Sequence, residues 1–345
     1  MNVLYLSEIH FRGNHAGTKA RNDAEVILRQ SGARPINTRV LELQENQYGE
    51  IRSNIVNRFG FIRYYLDLFS ARNETVIVQY PMLAFDIQFD YIRKLTKHNR
   101  VIFLVHDIQS LRREGQSGLE QEVQILNLAY GLIVHNRFME QKLKQIGVCV
   151  NRFYRLNCFD YLFNGTINHA PIYTDIVFAG NLEKSEFLLK MCAENPGLSF
   201  RFYGPGWRDA PNLSNADYSG NFGPDEIPGK LQGKYGLIWD GKTTSGCSGA
   251  VGEYTRINNP HKMSLYIVAG LPVIAWINSA IAEFIHQNQI GITVDCIDNL
   301  QDTLTTVSDS QYQNMRSNVL RLRDGLISGG HLRSILDVIR EELPE

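Results

Sequence analysis

The sequence predicts an α/β protein with two domains, each built of βαβ units around a parallel sheet. The chain has 345 residues, about twice the length of a typical domain. Short β-branched or aromatic runs alternate with longer amphipathic stretches almost from end to end, which is the pattern of βαβ units. Runs such as VIFLVHD at residues 101–107 are apolar almost throughout, as expected for strands with helices on both faces of the sheet.

The predicted N-terminal domain spans residues 1–157. We predict strands at residues 2–6, 75–80, 100–107 and 131–135, and a weaker one at 152–156. We predict helices at residues 18–30, 51–69, 85–96, 118–128 and 137–145. Because parallel strands end at the same edge of a sheet, polar residues that follow them are expected to share one crevice.

The predicted second domain spans residues 175–325. Residues 158–174 have no clear period and contain Asn-Gly and Ala-Pro, so they are predicted to form a linker. Strands are then predicted at residues 175–179, 199–203, 235–239, 272–276 and 292–295. Helices are predicted at residues 185–194, 260–269 and 280–287, followed by two or three more over 300–343.

Composition excludes several classes of protein. The formal net charge is −1, which does not favour a nucleic-acid or membrane partner recruited by bulk charge. Five scattered cysteines without a C-x-x-C pair indicate reduced thiols. The N-terminus turns polar too early for a signal peptide, and no apolar run approaches the roughly 20 residues of a transmembrane helix. We therefore expect a cytoplasmic protein without a transmembrane segment.

The common nucleotide signatures are missing. No G-x-G-x-x-G follows the first predicted strand, and GPDEIPGK at residues 223–230 has neither the spacing nor the final hydroxyl residue of a phosphate-binding P-loop. The Asp-x-Asp pair with which another class of transferases binds manganese is also absent, and no His/Cys cluster has zinc spacing. We expect no metal and no cofactor.

Glycine, histidine and aspartate mark two candidate elements in the first half. In GNHAGTK at residues 13–19, Gly17 and Thr18 stand where a helix begins, so backbone N–H groups there could bind a phosphate or sugar oxygen. The alternative is a plain glycine loop with Thr18 as the N-cap. His106 and Asp107 end a strand and could take a proton from a hydroxyl nucleophile. Alternatively, Asp107 caps the next helix and His106 packs against the linker.

Two turns at strand ends suggest a donor site in the second half. In VFAGNLEK at residues 177–184, Gly180 would let the backbone approach a ligand and Lys184 could reach a phosphate. In FYGPG at residues 202–206, Tyr203 could stack on a base. The alternative for both elements is that their residues only pack in the core or form a turn.

The segment NNPHKMSLYIVAGLPVIAW at residues 258–276 is the firmest motif. Asn259 is the expected N-cap, Pro260 the first helical residue and Gly270 the C-cap. The positive end of the helix, with His261 and Lys262, would then neutralise a diphosphate without a metal. The alternative is an ordinary capped helix.

These elements resemble the GT-B glycosyltransferases. VFAGNLEK looks like the first donor loop of their C-terminal domain, and NNPHKMSLYIVAGLPVIA looks like their donor-binding helix and turn. The resemblance implies two Rossmann-like domains facing a central cleft, with the C-terminal helix at residues 326–345 packing back on the N-terminal domain. One departure is Leu265, which stands where many retaining GT-B enzymes carry a ribose-binding glutamate.

The closer resemblance is to the bacterial glucosyltransferases that extend O-linked GlcNAc on serine-rich repeat adhesins. It rests on chain length, the opening loop with Gly17-Thr18 and the NNPHK element. It implies transfer of glucose from UDP-glucose to a glycosylated serine-rich protein, without a metal, by a homo-oligomer (dimer or tetramer). The implied donor-binding residues are Gly17, Thr18, Asn181, Lys184, Tyr203, Tyr218, Asn259, Pro260, Lys262 and Ser264.

We take Asp107 as the expected base, with His106 beside it, at the acceptor side of the cleft. The Gly/Ser/Thr-rich segment at residues 242–256 is expected to be a loop that orders over the donor. Two rival functions remain: a UDP-sugar 2-epimerase with the same fold, and a non-catalytic partner subunit of another transferase. The residues leave the donor sugar, the linkage and the stereochemical outcome open.

Overall fold

The computed structural model of the chain describes residues 3–8, 16–38, 71–82, 88–167, 174–207 and 213–342. It contains two six-stranded sheets, and every strand pair in them is parallel. The predicted α/β class with two βαβ domains is confirmed. The predicted helix at residues 51–69 and the loop at residues 13–15 lie outside the described residues.

The N-terminal sheet has the order β2-β1-β3-β4-β5-β6. Its strands are β1 Val3–Glu8, β2 Arg34–Thr38, β3 Thr75–Tyr80, β4 Arg100–Val105, β5 Gly131–Val134 and β6 Phe153–Arg155. The helices around it are α1 Ala16–Gln30, α2 Gln88–Leu95, α3 Gln109–Arg112, α4 Leu119–Leu126 and α5 Arg137–Gln145. The sequence pattern did not predict strand β2, because RPINT is a polar edge strand that contains a proline.

The C-terminal sheet has the order β12-β11-β10-β7-β8-β9. Its strands are β7 Ile176–Ala179, β8 Phe200–Tyr203, β9 Ala216–Tyr218, β10 Tyr235–Ile238, β11 Val273–Trp276 and β12 Gly291–Val294. Its helices are α6 Phe187–Glu194, α7 Gly249–Tyr254, α8 His261–Val268, α9 Ile281–Asn288, α10 Leu300–Thr305 and α11 Asp309–Ser328. The order reverses between β10 and β7, and ligands of open α/β sheets bind at such a switch point.

The final helix, α12 Gly330–Glu342, returns to the N-terminal domain, as predicted. Helix α11 ends at Gly329, whose φ of 78° is in the left-handed region. Helix α12 then packs Leu332, Leu336 and Ile339 into the core that also contains Tyr5 of β1. The apolar stripe at three- and four-residue spacing explains why this helix covers the sheet.

The segment between the two sheets is packed against both cores. Phe159 joins the core of the N-terminal domain, whereas Cys158, Tyr161 and Phe163 join that of the C-terminal domain. The described part of the predicted linker therefore fixes the two domains to each other rather than spacing them apart.

Candidate functional site

Lys262 lies at the switch point of the C-terminal sheet. Its Nζ atom is 2.9 Å from Oδ1 of Asp240 and 3.3 Å from the carbonyl oxygen of Trp239, both of which follow β10. The ammonium group also lies 4.7 Å from the centroid of the Phe178 ring in β7. The predicted phosphate-binding lysine thus spans the carboxyl ends of the two strands between which the strand order reverses.

Gly180 leaves room for that lysine. A Cβ atom at position 180 would lie 3.1 Å from Cε of Lys262, which is closer than ordinary van der Waals contact. Close approach of a ligand to the backbone was the expected reason for a glycine here. The structure supplies another reason, the passage of the Lys262 side chain.

Asn259 joins the start of helix α8 to the N-terminal domain. Its side-chain amide donates to the carbonyl oxygens of His135 and Asn157, each at 2.8 Å, and accepts a bond of 2.7 Å from Asn136. Helix α8 begins at His261, and Pro260, with ψ of 137°, is the flanking residue. The predictions of Asn259 as the N-cap and Pro260 as the first helical residue were therefore wrong, because the N-terminal domain engages the asparagine side chain.

The two histidines at this contact are uncharged near neutral pH. Burial lowers the pKa of His135 to about 4 and the pKa of His261 to about 3, because desolvation disfavours imidazolium. The expectation that His261 adds positive charge for a diphosphate is therefore wrong. Within the described residues, the buried Nε2 atom of His261 has no hydrogen-bond partner.

His106 lies across Phe159 from the start of α8. The ring of Phe159 stacks on His106 with centroids 5.8 Å apart, and its centroid is also 5.8 Å from that of His261. Nε2 of His106 is 2.7 Å from Oε1 of Gln79. One aromatic side chain of the connecting segment therefore separates the candidate acceptor side from the candidate donor helix.

Asp107 forms an ion pair with Arg112, with Oδ2 and Nη1 2.7 Å apart. Burial nevertheless raises the pKa of Asp107, against the opposing effects of Arg112 and Arg21. Its side chain does not cap helix α3, since the backbone amides of Gln109 and Ser110 donate to Glu122. The alternative reading of Asp107 as a helix cap is therefore excluded, and a half-buried carboxyl group of raised pKa stands at the end of β4.

The predicted donor loop lies at the surface beside Lys262. Asn181 and Lys184 are both exposed, and the backbone amide of Lys184 donates to Oδ1 of Asn181 at 3.2 Å. Tyr218 is 43% exposed, stacks on Trp207 with centroids 6.4 Å apart, and donates from its hydroxyl to the carbonyl of Gly204. These side chains are accessible.

Tyr203 and Ser264, which were expected to line the donor pocket, are core residues in this structure. Tyr203 is 2% exposed and its hydroxyl donates to the carbonyl of Lys230 at 3.1 Å. Ser264 is 1% exposed, and its hydroxyl donates to the carbonyl of Phe159 at 2.7 Å. Both side chains are therefore buried and bonded to backbone carbonyl oxygens in this structure.

Gly17 and Thr18 belong to the first turn of α1, which begins at Ala16. Thr18 is thus not the N-cap, and it lines a cavity of ≈ 510 Å³. Beside it, the buried Nζ of Lys19 is 2.8 Å from Asp23 and 2.7 Å from Asp225 of the other domain. An ion pair therefore links the two domains beside this cavity.

Sequence reasoning missed three residues of this region. Asp240 follows a strand as Asp107 does, so the same pattern could have identified it. Phe159 and Tyr254 stand in stretches without a helical or strand period, and only the packing reveals them. Asn136 is the N-cap of helix α5, since its side chain accepts bonds from the amides of Phe138 and Met139.

Among the described residues, no group of three or more His, Cys, Asp and Glu side chains is arranged to hold a metal ion. None of the helices there has both the length and the apolar character needed to cross a membrane.

Comparisons with known proteins identify the family of the chain. Family models of the Glucosyltransferase 3-like N-terminal and C-terminal domains match residues 4–158 and 176–339. The β-1,6-galactofuranosyltransferase WbbI of Escherichia coli K12 is 29% identical over 99% of both chains. Glucosyltransferase 3 of Streptococcus gordonii is 23% identical over 96% of both chains.

The fold is also similar to that of a solved transferase. Sucrose-phosphate synthase of Thermosynechococcus elongatus superposes with a TM-score of 0.67 at 12% identity, over 99% of this chain and 100% of the other. At that identity the likeness concerns the fold alone. Taken with the two family models, it shows that the chain belongs to the Glucosyltransferase 3-like family of GT-B glycosyltransferases.

Proposed function

We propose that the protein transfers a hexosyl group from a UDP-sugar to a hydroxyl group of an acceptor sugar, without a metal ion. The observation that carries this proposal is the position of Lys262. Its ammonium group lies at the switch point of one sheet, on a helix whose start contacts the strand ends of the other sheet. A diphosphate bound there would have its sugar facing the N-terminal domain.

The start of helix α8 supports the donor half of the reaction. No side chain caps this helix, so its first backbone N–H groups are available to a phosphate. Lys262 and the exposed Lys184 add positive charge, and the neutral His261 adds a hydrogen-bonding nitrogen. Together these groups would stabilise the charge that develops on the leaving diphosphate, which is the role a metal ion has in other transferases.

Asp107 supports the acceptor half. A carboxyl group whose pKa lies above its ordinary value is a better proton acceptor at neutral pH than an ordinary aspartate. We propose that it takes the proton of the acceptor hydroxyl, with His106 contacting the sugars beside it. Glu or Asn substitutions that shift or remove this carboxyl should therefore affect kcat more than donor binding.

The donor sugar is glucose or galactofuranose in this proposal. The streptococcal relatives are glucosyltransferases by name, and the Escherichia coli relative is a galactofuranosyltransferase. The two sugars share the UDP group in the donors that we propose to test, so the site described above suits either. We further propose, from the resemblance to the adhesin glucosyltransferases, that the acceptor is a protein-linked or carrier-linked sugar such as GlcNAc on a serine-rich protein, and that the enzyme is a cytoplasmic homo-oligomer.

A donor panel tests the proposal. The purified chain would be incubated with UDP-glucose, UDP-galactofuranose, UDP-GlcNAc or a GDP-sugar, each with a GlcNAc-bearing serine-rich peptide and with or without EDTA. Mass spectrometry should detect one added hexose from a UDP-hexose, equally with EDTA. Conversion of UDP-GlcNAc without an acceptor would instead identify an epimerase. Absence of any UDP-induced rise in melting temperature would exclude a donor site.

A further inference from the structure

Tyr254 belongs to one domain and is buried in the other. It is the last residue of α7, in the C-terminal domain, yet its side chain is 3% exposed and lies in the hydrophobic core of the N-terminal domain. Helix α7 lies in the Gly/Ser/Thr-rich segment that was expected to be a loop over the donor. The structure gives that segment a helix anchored by a tyrosine in the acceptor-side domain.

The hydroxyl group of Tyr254 lies beside the backbone that follows β4. It accepts a hydrogen bond of 2.8 Å from the backbone amide of Ile108. Because a buried O–H group needs an acceptor of its own, its proton must point elsewhere. The carboxyl group of Asp107, the residue before Ile108, is close enough for the Tyr254 hydroxyl to favour its charged form.

We infer that the Tyr254 hydroxyl donates to the carboxyl group of Asp107 and that Tyr254 is a positioning residue for it, so that the donor-binding domain itself orients the base of the reaction. The inference rests on the proposed function in one respect, the assignment of Asp107 as the base. It implies that the base is complete only when α7 is docked on the N-terminal domain. Donor binding and proton transfer are thereby connected through one side chain.

Several charged groups surround this pair. Arg112 on α3 is ion-paired with Asp107 and lies 5.7 Å from the centroid of the Tyr254 ring. Arg21 on α1 also favours the charged carboxylate, and the charge of Glu122 on α4 helps to raise the pKa of Tyr254. Tyr254→Phe removes the hydroxyl alone and leaves these charges and the packing of the ring in place.

The test is the pH dependence of kcat for the donor and peptide that the panel above identifies. A donated hydrogen bond stabilises the carboxylate, so its loss raises the pKa of Asp107 and moves the acid limb of the profile to higher pH. For a bond to a charged group we expect a displacement of about one pH unit, or about tenfold lower kcat on the acid side. The donor KM should change less than about twofold.

Tyr154→Phe is the matched control. Tyr154 is also a buried tyrosine, and its hydroxyl donates to the carboxylate of Glu342 at 2.7 Å, far from Asp107. This variant should keep the profile of the unmodified enzyme. If both Phe variants moved the acid limb equally, the effect would be a general loss of rigidity and the inference would be overturned.

Further variants separate the inference from the proposed function. Asp107→Asn should lower kcat to a small residual value, and adding Tyr254→Phe to it should lower that residual kcat no further, because the two residues act as one unit. An Asp107→Asn enzyme of undiminished kcat would overturn the base assignment, and with it the inference. One with only residual kcat, beside a Tyr254→Phe enzyme of unchanged profile, would overturn the inference alone.

A second replacement at position 254 should keep the fold and move the acid limb of the pH profile in the opposite direction. Substitution of Tyr254 by 3-fluorotyrosine makes the hydroxyl a stronger donor and should move the acid limb to lower pH. Movement to higher pH, or none, would contradict donation to Asp107.

Discussion

The backbone amide of Asn259 donates a hydrogen bond of 3.0 Å to Nδ1 of His135. Nε2 of the same ring is 3.1 Å from the carbonyl oxygen of Val105. Since a carbonyl oxygen only accepts, the imidazole carries its proton on Nε2 and offers a lone pair at Nδ1. A neutral histidine at the end of one sheet thus holds the start of the donor helix of the other domain.

This arrangement predicts a loss of stability in acid. The pKa of His135 is about 4 in the folded protein and about 6.5 when unfolded. Between these values the unfolded state binds a proton that the folded state does not, so stability falls as pH falls from 6.5 to 4. We expect the contribution to be on the order of 3 kcal/mol. Urea unfolding of His135→Asn should show a flatter pH dependence than the unmodified protein.

Asp23 supplies a control of opposite sign. Burial raises the pKa of Asp23 to about 6, from about 3.9 when unfolded. The folded state therefore binds the extra proton in this window, and stability rises as pH falls from 6 to 4. Asp23→Asn should make the acid loss steeper, where His135→Asn makes it shallower. Equal slopes for the two variants would contradict both assignments.

Lys262→Ala should weaken donor binding strongly. Loss of a charged hydrogen-bonding partner of the diphosphate costs about 1.5–3 kcal/mol, so the donor KM should rise about 10–100-fold, with a lower kcat as well. Lys234→Ala is the matched control, because Lys234 pairs with Asp175 at 3.1 Å at the opposite end of the same two strands. If the Lys262→Ala enzyme had an unchanged donor KM, the assignment of the donor site to this end of the sheet would be wrong.

Ser264→Ala should affect stability and leave the donor KM unchanged. The Ser264 hydroxyl is buried and bonded to the carbonyl of Phe159, and loss of such a bond costs about 1 kcal/mol. Chemical denaturation and steady-state kinetics on the same preparation would separate the two effects. A several-fold rise in donor KM at unchanged stability would restore Ser264 to the donor pocket.

Gly204→Ala should be strongly destabilising. Its φ is 126°, and a Cβ atom at that position would lie 1.9 Å from the carbonyl oxygen of Gly180. The backbone would have to move the donor loop or unfold, at a cost of about 3 kcal/mol or more. Gly325→Ala in helix α11, where a Cβ atom meets nothing within 4 Å, should be neutral or stabilising by up to about 1 kcal/mol. Thermal unfolding of the two variants measures the contrast.

The sequence predicts the interior of this fold better than its edges. The buried strands β3, β4 and β10 are continuous apolar runs, and such runs are visible without knowledge of the partner strand. Strands β2 and β9 are the edge strands at one end of each sheet. They are partly exposed and are polar or short. Their pairing is decided by the neighbouring strand, which no local pattern records.

In the candidate site, too, some features could be predicted from the sequence and others could not. Lys262, Asp107 and Asn181 follow or face strand ends, so the α/β rule brings them to one crevice. Contacts that complete the site come from the other domain. Tyr254 and Ile108, for example, are separated by 146 positions in the sequence. The burial of Tyr203 and Ser264 likewise depends on which face of an element meets the core. A list of polar residues near strand ends cannot contain that information.

The position of Phe159 bears on how this enzyme could be recombined with its relatives. Its ring touches a histidine of each domain, although it lies in the stretch of chain that joins the domains. An exchange of donor domains with a junction at residue 157 would pair that ring with unfamiliar neighbours on the acceptor side. A junction after residue 174 would carry the native ring along with the acceptor domain, at the cost of mismatches for Tyr161 and Phe163. Specificity swaps in this family should therefore treat the connecting segment as a third part to be matched to both halves.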